Sequence, residues 1–356
     1  MIKEFNLQDL EGIGPTTEKK LNNAGIFTPF DIVVRGIKEF SRTSGLDIEV
    51  AEKHVNSIKK QLSEQGEVIE INDLETLREL RKKQIKTPIK VAELDEMLKG
   101  GFETQSLYEI YGGEGNGKTQ MSTTLAVEAL ANDDGVAFID CEGTFDEERF
   151  DEIYFARYGS KYVGDKLAYH LWTDPVQLIS GVRGMIEELI KKDVRYIIID
   201  GLVGVMRLNY EGRGELYDRQ NELEVVLKYL KNISLIFNIG VIITNQVMAN
   251  PEPFGPKEKP VGGHVLGHYV KYIIHITKGM KNNRVAHLVK SNKGAQGDYV
   301  FFLNEEGVSQ YESISQKKKA KKNETETTKE LEPTMEGIED SILVGDNKPK
   351  DKIKVF

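Results

Sequence analysis

Gly112-Gly113-Glu114-Gly115-Asn116-Gly117-Lys118-Thr119 has the spacing G-x-x-x-x-G-K-[ST]. Glycines in such a loop let backbone N–H groups approach and ring phosphate oxygens. Lys118 adds a positive charge at the β/γ position, and Thr119 offers a hydroxyl to Mg²⁺. A helix starting near Lys118 would add its positive N-terminal end. The competing reading is a Gly-rich surface turn. The β-rich run Leu107–Tyr111 before the loop and the helical pattern after it favour phosphate binding. A second element, Tyr196-Ile197-Ile198-Ile199-Asp200, has four apolar residues ending in a carboxylate. It predicts a buried strand with Asp200 at its tip, where a carboxylate can hold Mg²⁺ through water. Hydrolysis also needs a base or a water-orienting group. Glu142 follows the run Val136–Asp140 and would lie at the same sheet edge as Lys118. Asp140 competes with it for that role, and composition does not choose between them.

These residues need a scaffold, and residues 91–311 supply its pattern. Apolar or β-rich runs fall at Ser106–Tyr111, Gly135–Asp140, Lys166–Trp172, Tyr196–Asp200, Val241–Thr244 and Tyr272–Thr277. Several are nearly continuous, as in strands buried on both faces. Helical patterns such as Gln120–Leu130 and Val176–Lys191 separate the earlier runs. The alternation predicts an α/β fold with a mostly parallel sheet. Tyr272 to Phe302 lacks long helices and predicts antiparallel strands.

Residues 1–66 predict a small all-α domain with a turn at Gly12-Ile13-Gly14-Pro15. Gly12 and Gly14 free two backbone N–H groups where the next helix starts, with Lys19 and Lys20 one turn on. That suits a nucleic-acid phosphate without reading sequence. A helix–helix packing corner is the plainer alternative. Residues 67–90 form a connector that becomes basic. Residues 312–356 form a charged tail with ten lysines and ten acids, and its composition predicts disorder.

The whole chain has 356 residues, 39% hydrophobic and 29% charged, enough to bury a core. Forty-eight Lys and Arg against 57 Asp and Glu give −9, which excludes a uniformly basic nucleic-acid coat. One cysteine, Cys141, excludes a disulfide framework and a cysteine-rich zinc site. No stretch approaches the roughly 20 apolar residues of a membrane helix. MIKEFNLQDLEG has no signal-peptide pattern, so a cytoplasmic protein without a membrane partner is expected.

Taken together, the separated motifs resemble those of the archaeal RadA recombinases, within the RecA-type strand-exchange family. The resemblance runs from about residue 5 to residue 310. It rests on the Gly12–Leu21 hairpin, Gly100-Gly101-Phe102-Glu103-Thr104-Gln105, Gly117-Lys118-Thr119-Gln120 and Glu142-Gly143-Thr144-Phe145 with Glu148-Arg149. It continues in Gly212-Arg213-Gly214-Glu215-Leu216 with Arg219-Gln220, in Thr244-Asn245-Gln246-Val247-Met248-Ala249, and in the run Pro260 to His268. The implied fold is a RecA-like P-loop ATPase core behind a helix-hairpin-helix domain. The implied cofactors are ATP and Mg²⁺. The implied partners are single- and double-stranded DNA, further copies of the chain in a filament or ring, and recombination mediators at the tail.

Residue roles follow from the same resemblance. Glu142 matches the glutamate that polarises the attacking water, and Arg149 an arginine stacking on adenine. Tyr210, Arg213 and Arg219 match a first DNA-binding loop. Val247 to Gly263, with Phe254, Lys257, Lys259, Gly262 and Gly263, match a second. Gln246 and His268 match groups that sense the γ-phosphate, His268 from a neighbouring protomer. The implied activity is DNA-dependent ATP hydrolysis with homologous pairing and strand exchange. Two other readings compete: a recombinase paralogue that acts as mediator, and a ring-forming RecA-like motor.

Five positions depart from the family pattern. Gly113 stands where an acid is usual, with Glu114 one step on. Asp146 replaces a usual Arg. Gly201 replaces a usual Ser or Thr. Lys290 replaces an acid that caps ATP from the next protomer, and its ammonium could meet phosphate oxygens directly, so reduced dependence on potassium is expected. Ile71-Asn72-Asp73-Leu74 stands where relatives carry Phe-x-x-Ala, so Ile71 and Leu74 would have to serve as the apolar plugs.

Overall fold

The computed structural model describes residues 6–10, 13–64, 74–207, 216–250, 258–262, 264–280, 283–293 and 296–316. The described residues up to Ile314 form a first compact unit. The first unit opens with α1 (Pro15–Asn23), α2 (Pro29–Arg35), α3 (Ile37–Ser44) and α4 (Ile48–Glu64). Local chemistry sets the start of α2. Thr28 and Asp31 form a reciprocal capping box, with the Thr28 N–H donating to Asp31 Oδ2 at 2.9 Å and Pro29 in the first turn.

The connector follows with α5 (Leu74–Lys82), β1 (Lys86–Thr87), α6 (Ala92–Met97) and β2 (Phe102–Glu103). Next come β3 (Ser106–Gly112), α7 (Lys118–Ala131), β4 (Gly135–Asp140), α8 (Glu147–Tyr158) and β5 (Leu167–Leu171). They lead to α9 (Pro175–Gly184), α10 (Ile186–Lys191), β6 (Val194–Asp200), α11 (Leu202–Val205), α12 (Leu216–Ile236) and β7 (Gly240–Asn245). The short ribbon β8 (Val247–Ala249) and β9 (Glu258–Pro260) precedes α13 (His264–Tyr269). The strands β10 (Tyr272–Lys278), β11 (Asn283–Lys290), β12 (Asp298–Asn304) and β13 (Gly307–Ser309) close the unit.

Nine strands form one sheet in the order β13-β12-β11-β10-β3-β7-β6-β4-β5. From β10 to β5 every neighbouring pair is parallel, and β11, β12 and β13 add antiparallel strands on one side. The antiparallel stretch expected from Tyr272 onward therefore starts one strand later, because β10 runs parallel to β3. The alternation of side chains explains the continuous apolar runs. Ile197 and Ile199 of β6 face one core with α9, α10 and α12, while Tyr196 and Ile198 face a second core with α6, α7 and α8. β6 is thus buried on both faces.

The front helices share the first of these cores. Phe30 meets Phe237 with ring centroids 5.4 Å apart, and Asn232 Nδ2 donates to Val34 O at 2.7 Å. The helix expected over Val176–Lys191 is two helices. Met185, with ψ −5°, interrupts it directly after Gly184, a poor helix former. Among the described residues no helix is long and apolar enough to cross a membrane.

Candidate functional site

The parallel strands β3, β4, β6 and β7 deliver the chemistry-bearing residues to one sheet edge, beyond their C-terminal ends. Gly112 closes β3 and Lys118 opens α7. Between them the loop is held tight by side chains. Asn116, buried, donates from Nδ2 to Ile276 O of β10 at 2.8 Å. A Cβ on Gly112 would fall 2.3 Å from that same carbonyl oxygen, so only glycine fits there. Gly117 has φ +102°, a left-handed conformation that also suits glycine. The departure at Gly113 has a local fit, since a Cβ there would lie 3.3 Å from Asn116 Nδ2. Glu114 and Gly115 are exposed.

Lys118 Nζ folds back and donates to Gly112 O at 3.0 Å and Gly113 O at 3.2 Å. Burial pushes the Lys118 pKa down, and the charges of Glu142, Asp200 and Glu114 oppose that shift. Thr119 Oγ1 donates to Asp200 Oδ2 at 2.7 Å, which joins the loop to the tip of β6. The other Asp200 oxygen accepts from the Thr244 hydroxyl, and that hydroxyl also accepts from Gly201 N–H at 2.9 Å. Burial raises the Asp200 pKa against the lowering effect of the two hydroxyls. Among the described residues no cluster of three or more His, Cys, Asp or Glu could hold a metal. One hydroxyl beside one carboxylate suits Mg²⁺, which takes its other ligands from phosphate and water.

The two candidate bases have separate duties. Asp140 is fully buried and accepts four backbone N–H groups. Oδ1 takes those of Glu142 at 3.0 Å, Gly143 at 2.8 Å and Thr144 at 3.2 Å, and Oδ2 takes that of Phe145 at 2.9 Å. Tyr169 O–H adds a fifth donor at 3.2 Å. Asp140 is therefore the organiser of the loop. Glu142 is exposed, and its Oε1 accepts from Gln246 Nε2 at 2.9 Å.

Gln246 stands between β7 and the ribbon β8–β9. Its carbonyl accepts from Val261 N–H at 3.0 Å, and Val247 pairs with Pro260. Beneath it, buried Asn245 donates from Nδ2 to Glu109 Oε1 at 2.7 Å and to Val261 O at 2.8 Å. Burial raises the Glu109 pKa to about 7, while Asn245 and Lys290 oppose the rise. Lys259 lies in β9, Gly262 has φ +94°, and Arg219 lies in the first turns of α12. Gly12, Tyr210, Arg213, Phe254, Lys257 and Gly263, and also Ile71, lie outside the described residues. Leu74 opens α5 and is 60% exposed.

Arg149 on α8 reaches Gln120 Oε1 from Nε at 3.0 Å, and its Nη groups meet Glu152 and the Asn304 carbonyl. The departure at Asp146 has a role, because its carboxylate caps α8 by accepting from Arg149 N–H at 2.9 Å. At the front, Gly14 is exposed and caps α1 with extended backbone, and Lys19 is exposed.

His268 and Lys290 lie apart from this group. Lys290 Nζ donates to Gly267 O at 2.7 Å and Val270 O at 2.8 Å, closing the end of the helix that carries exposed His268. Lys271 N–H bonds Leu107 O near the start of β3. From Leu107 to the phosphate loop after Gly112 the strand spans about 17 Å. His268 and Lys290 thus face a different edge, beside a cavity also lined by Lys231, Lys271 and Asn292. Sequence reasoning missed Asp140 as loop organiser, Thr244, Glu109 and Asn245. An Asp followed closely by Gly is a turn signal that could have found the first. The buried polar pair Glu109–Asn245 leaves no such mark.

A Rad51 family profile matches residues 80–311, and a profile described as SAM-like helix-hairpin-helix tandem matches residues 5–60. The chain is 35% identical over 327 residues to the DNA repair and recombination protein RadA of Cenarchaeum symbiosum (strain A). The match covers 87% of this chain and 80% of that protein.

Proposed function

The chain belongs to the Rad51 family, and from that premise we propose how its residues carry out DNA-dependent ATP hydrolysis and homologous strand exchange. The chain is a recombinase of the RadA type: it binds DNA, and its ATPase serves the pairing of strands. The observation that carries the residue-level reading is the bond from Gln246 to Glu142. It ties the residue beside the phosphate loop to the stem of the β8–β9 ribbon.

The backbone N–H groups of Gly113 to Lys118 cradle the phosphates, and Lys118 leaves the Gly112 and Gly113 carbonyls to meet them. Thr119 and Asp200 would hold Mg²⁺, which would neutralise phosphate charge when bound. Glu142 orients the attacking water and takes its proton, because Asp140 has its oxygens committed to backbone donors. Gln120 and the Arg149 guanidinium flank the base. Gln246 reports the terminal phosphate to the stem of the β8–β9 ribbon, which joins the site to the second DNA-binding loop.

His268 and Lys290 act on the phosphates of a neighbouring copy, a reading supported by their distance along β3 from the chain's own loop. Subunits then associate so that each nucleotide lies at a junction, as in a filament. Arg213, Arg219, Lys257 and Lys259 contact DNA phosphates, and exposed Gly14 with Lys19 contacts a duplex backbone. Homology is tested by base pairing, so no base-reading side chain is needed.

DNA-stimulated hydrolysis is the direct test. Turnover should rise on adding single-stranded DNA and vanish in Glu142→Ala, with fluorescent-nucleotide binding retained. Full turnover in Glu142→Ala contradicts the assignment.

A further inference from the structure

The residue after Asp200 sits where three parts of the site meet. Gly201 has φ +91° and ψ 22°, and it caps the short helix α11. A Cβ at this position would fall 2.5 Å from Glu142 Cγ and 2.9 Å from Glu142 Cδ and Oε1. The Glu142 side chain therefore lies directly on the bare backbone of residue 201. Its own backbone cannot shift to make room, because Asp140 anchors the N–H groups of residues 142 to 145. Only a change of side-chain torsion could relieve a Cβ, and that swings the carboxylate off Gln246.

The same helix touches the other side of the ribbon. A Cβ on Gly262, just beyond β9, would fall 2.9 Å from Val203 Cγ1 of α11. The C-terminal end of α11 leads through Arg207 to the segment 208–215. Residue 201 is thus the fixed point below Glu142, and α11, which starts beside it, packs against the end of the ribbon at Gly262.

We propose that Gly201 is a positioning residue. Its missing side chain forms the seat that holds Glu142 against Gln246, so that the base and the ribbon stem are latched together. DNA or nucleotide that moves the ribbon then moves or releases the base. In this chain the space a side chain at 201 would take is filled by Glu142 Cγ, and the positive φ disfavours a side chain as well. This inference rests on the reading of Glu142 as the water-orienting residue.

Four variants test it. Gly201→Ala should lower DNA-stimulated kcat by between about tenfold and a hundredfold, the cost of a misplaced catalytic group. Nucleotide Kd should stay within about twofold, since Lys118 and Thr119 are untouched. Gly143→Ala is the control for backbone strain. Gly143 has φ +69° in the same loop, and a Cβ there meets nothing within 4 Å. Combining Gly201→Ala with Gln246→Ala should cost little more than Gln246→Ala alone, because both break one latch.

A second measurement does not depend on Gly201→Ala folding. Glu142 is exposed, so Glu142→Ala is tolerated structurally, and it removes the anchor of Gln246. Amide exchange over Val247–Ala249 and Glu258–Val261 in the nucleotide-free protein should then quicken by about fivefold or more. Unchanged exchange, or a Gly201→Ala protein with wild-type DNA-stimulated kcat, overturns the proposal. A Gly201→Ala effect no larger than that of Gly143→Ala does so too. Wild-type protein with no DNA stimulation would instead fail the functional reading itself, so the two failures are separable.

Discussion

Glu109→Gln should convert a pH-sensitive protein into one less sensitive, and the size follows from burial. Glu109 is 1% exposed in the middle of β3, under the Asn245–Gln246 junction. Burial raises its pKa from 4.5 to about 7. The sign follows from proton counting. Below pH 4.5 the carboxyl is protonated in both folded and unfolded chains. Between 4.5 and 7 the unfolded chain loses the proton while the folded one keeps it, so stability falls as pH rises. Above 7 both are ionised and the loss is complete. A gap of about 2.5 pH units corresponds to ~3 kcal/mol.

Glutamine is neutral throughout and keeps an oxygen for Asn245 Nδ2, so it avoids this loss. Urea unfolding of both proteins at pH 4.5 and pH 8 reads the effect. At pH 4.5 the variant should match wild type closely, because an amide and a protonated carboxyl have nearly the same shape. At pH 8 it should be more stable by about 3 kcal/mol. A stability difference that is the same at both pH values refutes the reasoning. It would mean that Glu109 is ionised in the folded protein, held by Lys290 and Asn245 against burial.

Two further predictions concern the loop and the cavity edge. Asp140→Ala strips the acceptor from four backbone N–H groups in a buried setting, so chemical denaturation should show a loss of about 3 kcal/mol or more, with hydrolysis reduced as Glu142 loses its anchored backbone. An unchanged midpoint counts against Asp140 as organiser. Wild-type ATPase should differ little between potassium and sodium buffers, because Lys290 places an ammonium where relatives carry an acid, whereas Lys290→Asp should create a potassium requirement. A strong potassium requirement in wild type removes that role for Lys290.

Much of this site was legible from residue order, for reasons specific to each part. The phosphate loop is contiguous, so its glycines, Lys118 and Thr119 declare their chemistry locally. The strand ending in Asp200 was readable because both of its faces are buried, which produces an unbroken apolar run. Partners that meet only through the sheet were not readable. Thr119 and Asp200 are 81 positions apart, and Gln246 and Glu142 are 104 apart. Their contacts depend on β3, β4, β6 and β7 being adjacent and parallel.

Asp140 and Glu142 showed the limit most sharply. Two acids two residues apart look equivalent in a sequence, yet one points into the fold and gathers N–H groups while the other points out. The resemblance implies Glu142, and the hydrogen bonds show Asp140 engaged by backbone N–H groups while Glu142 lies exposed. The break at Met185 was hidden because the apolar periodicity continues across it. The departure at Gly201 looked like a loss of a hydroxyl, whereas in three dimensions it is the space in which Glu142 lies.

Homologous strand exchange, measured with ATP and Mg²⁺ between a single strand and a matching duplex, bears most directly on the recombinase assignment. Wild-type protein should yield joint and exchanged products that require ATP and homology, and Lys118→Ala should yield none. ATP-dependent binding to DNA with no pairing of homologous strands would contradict it.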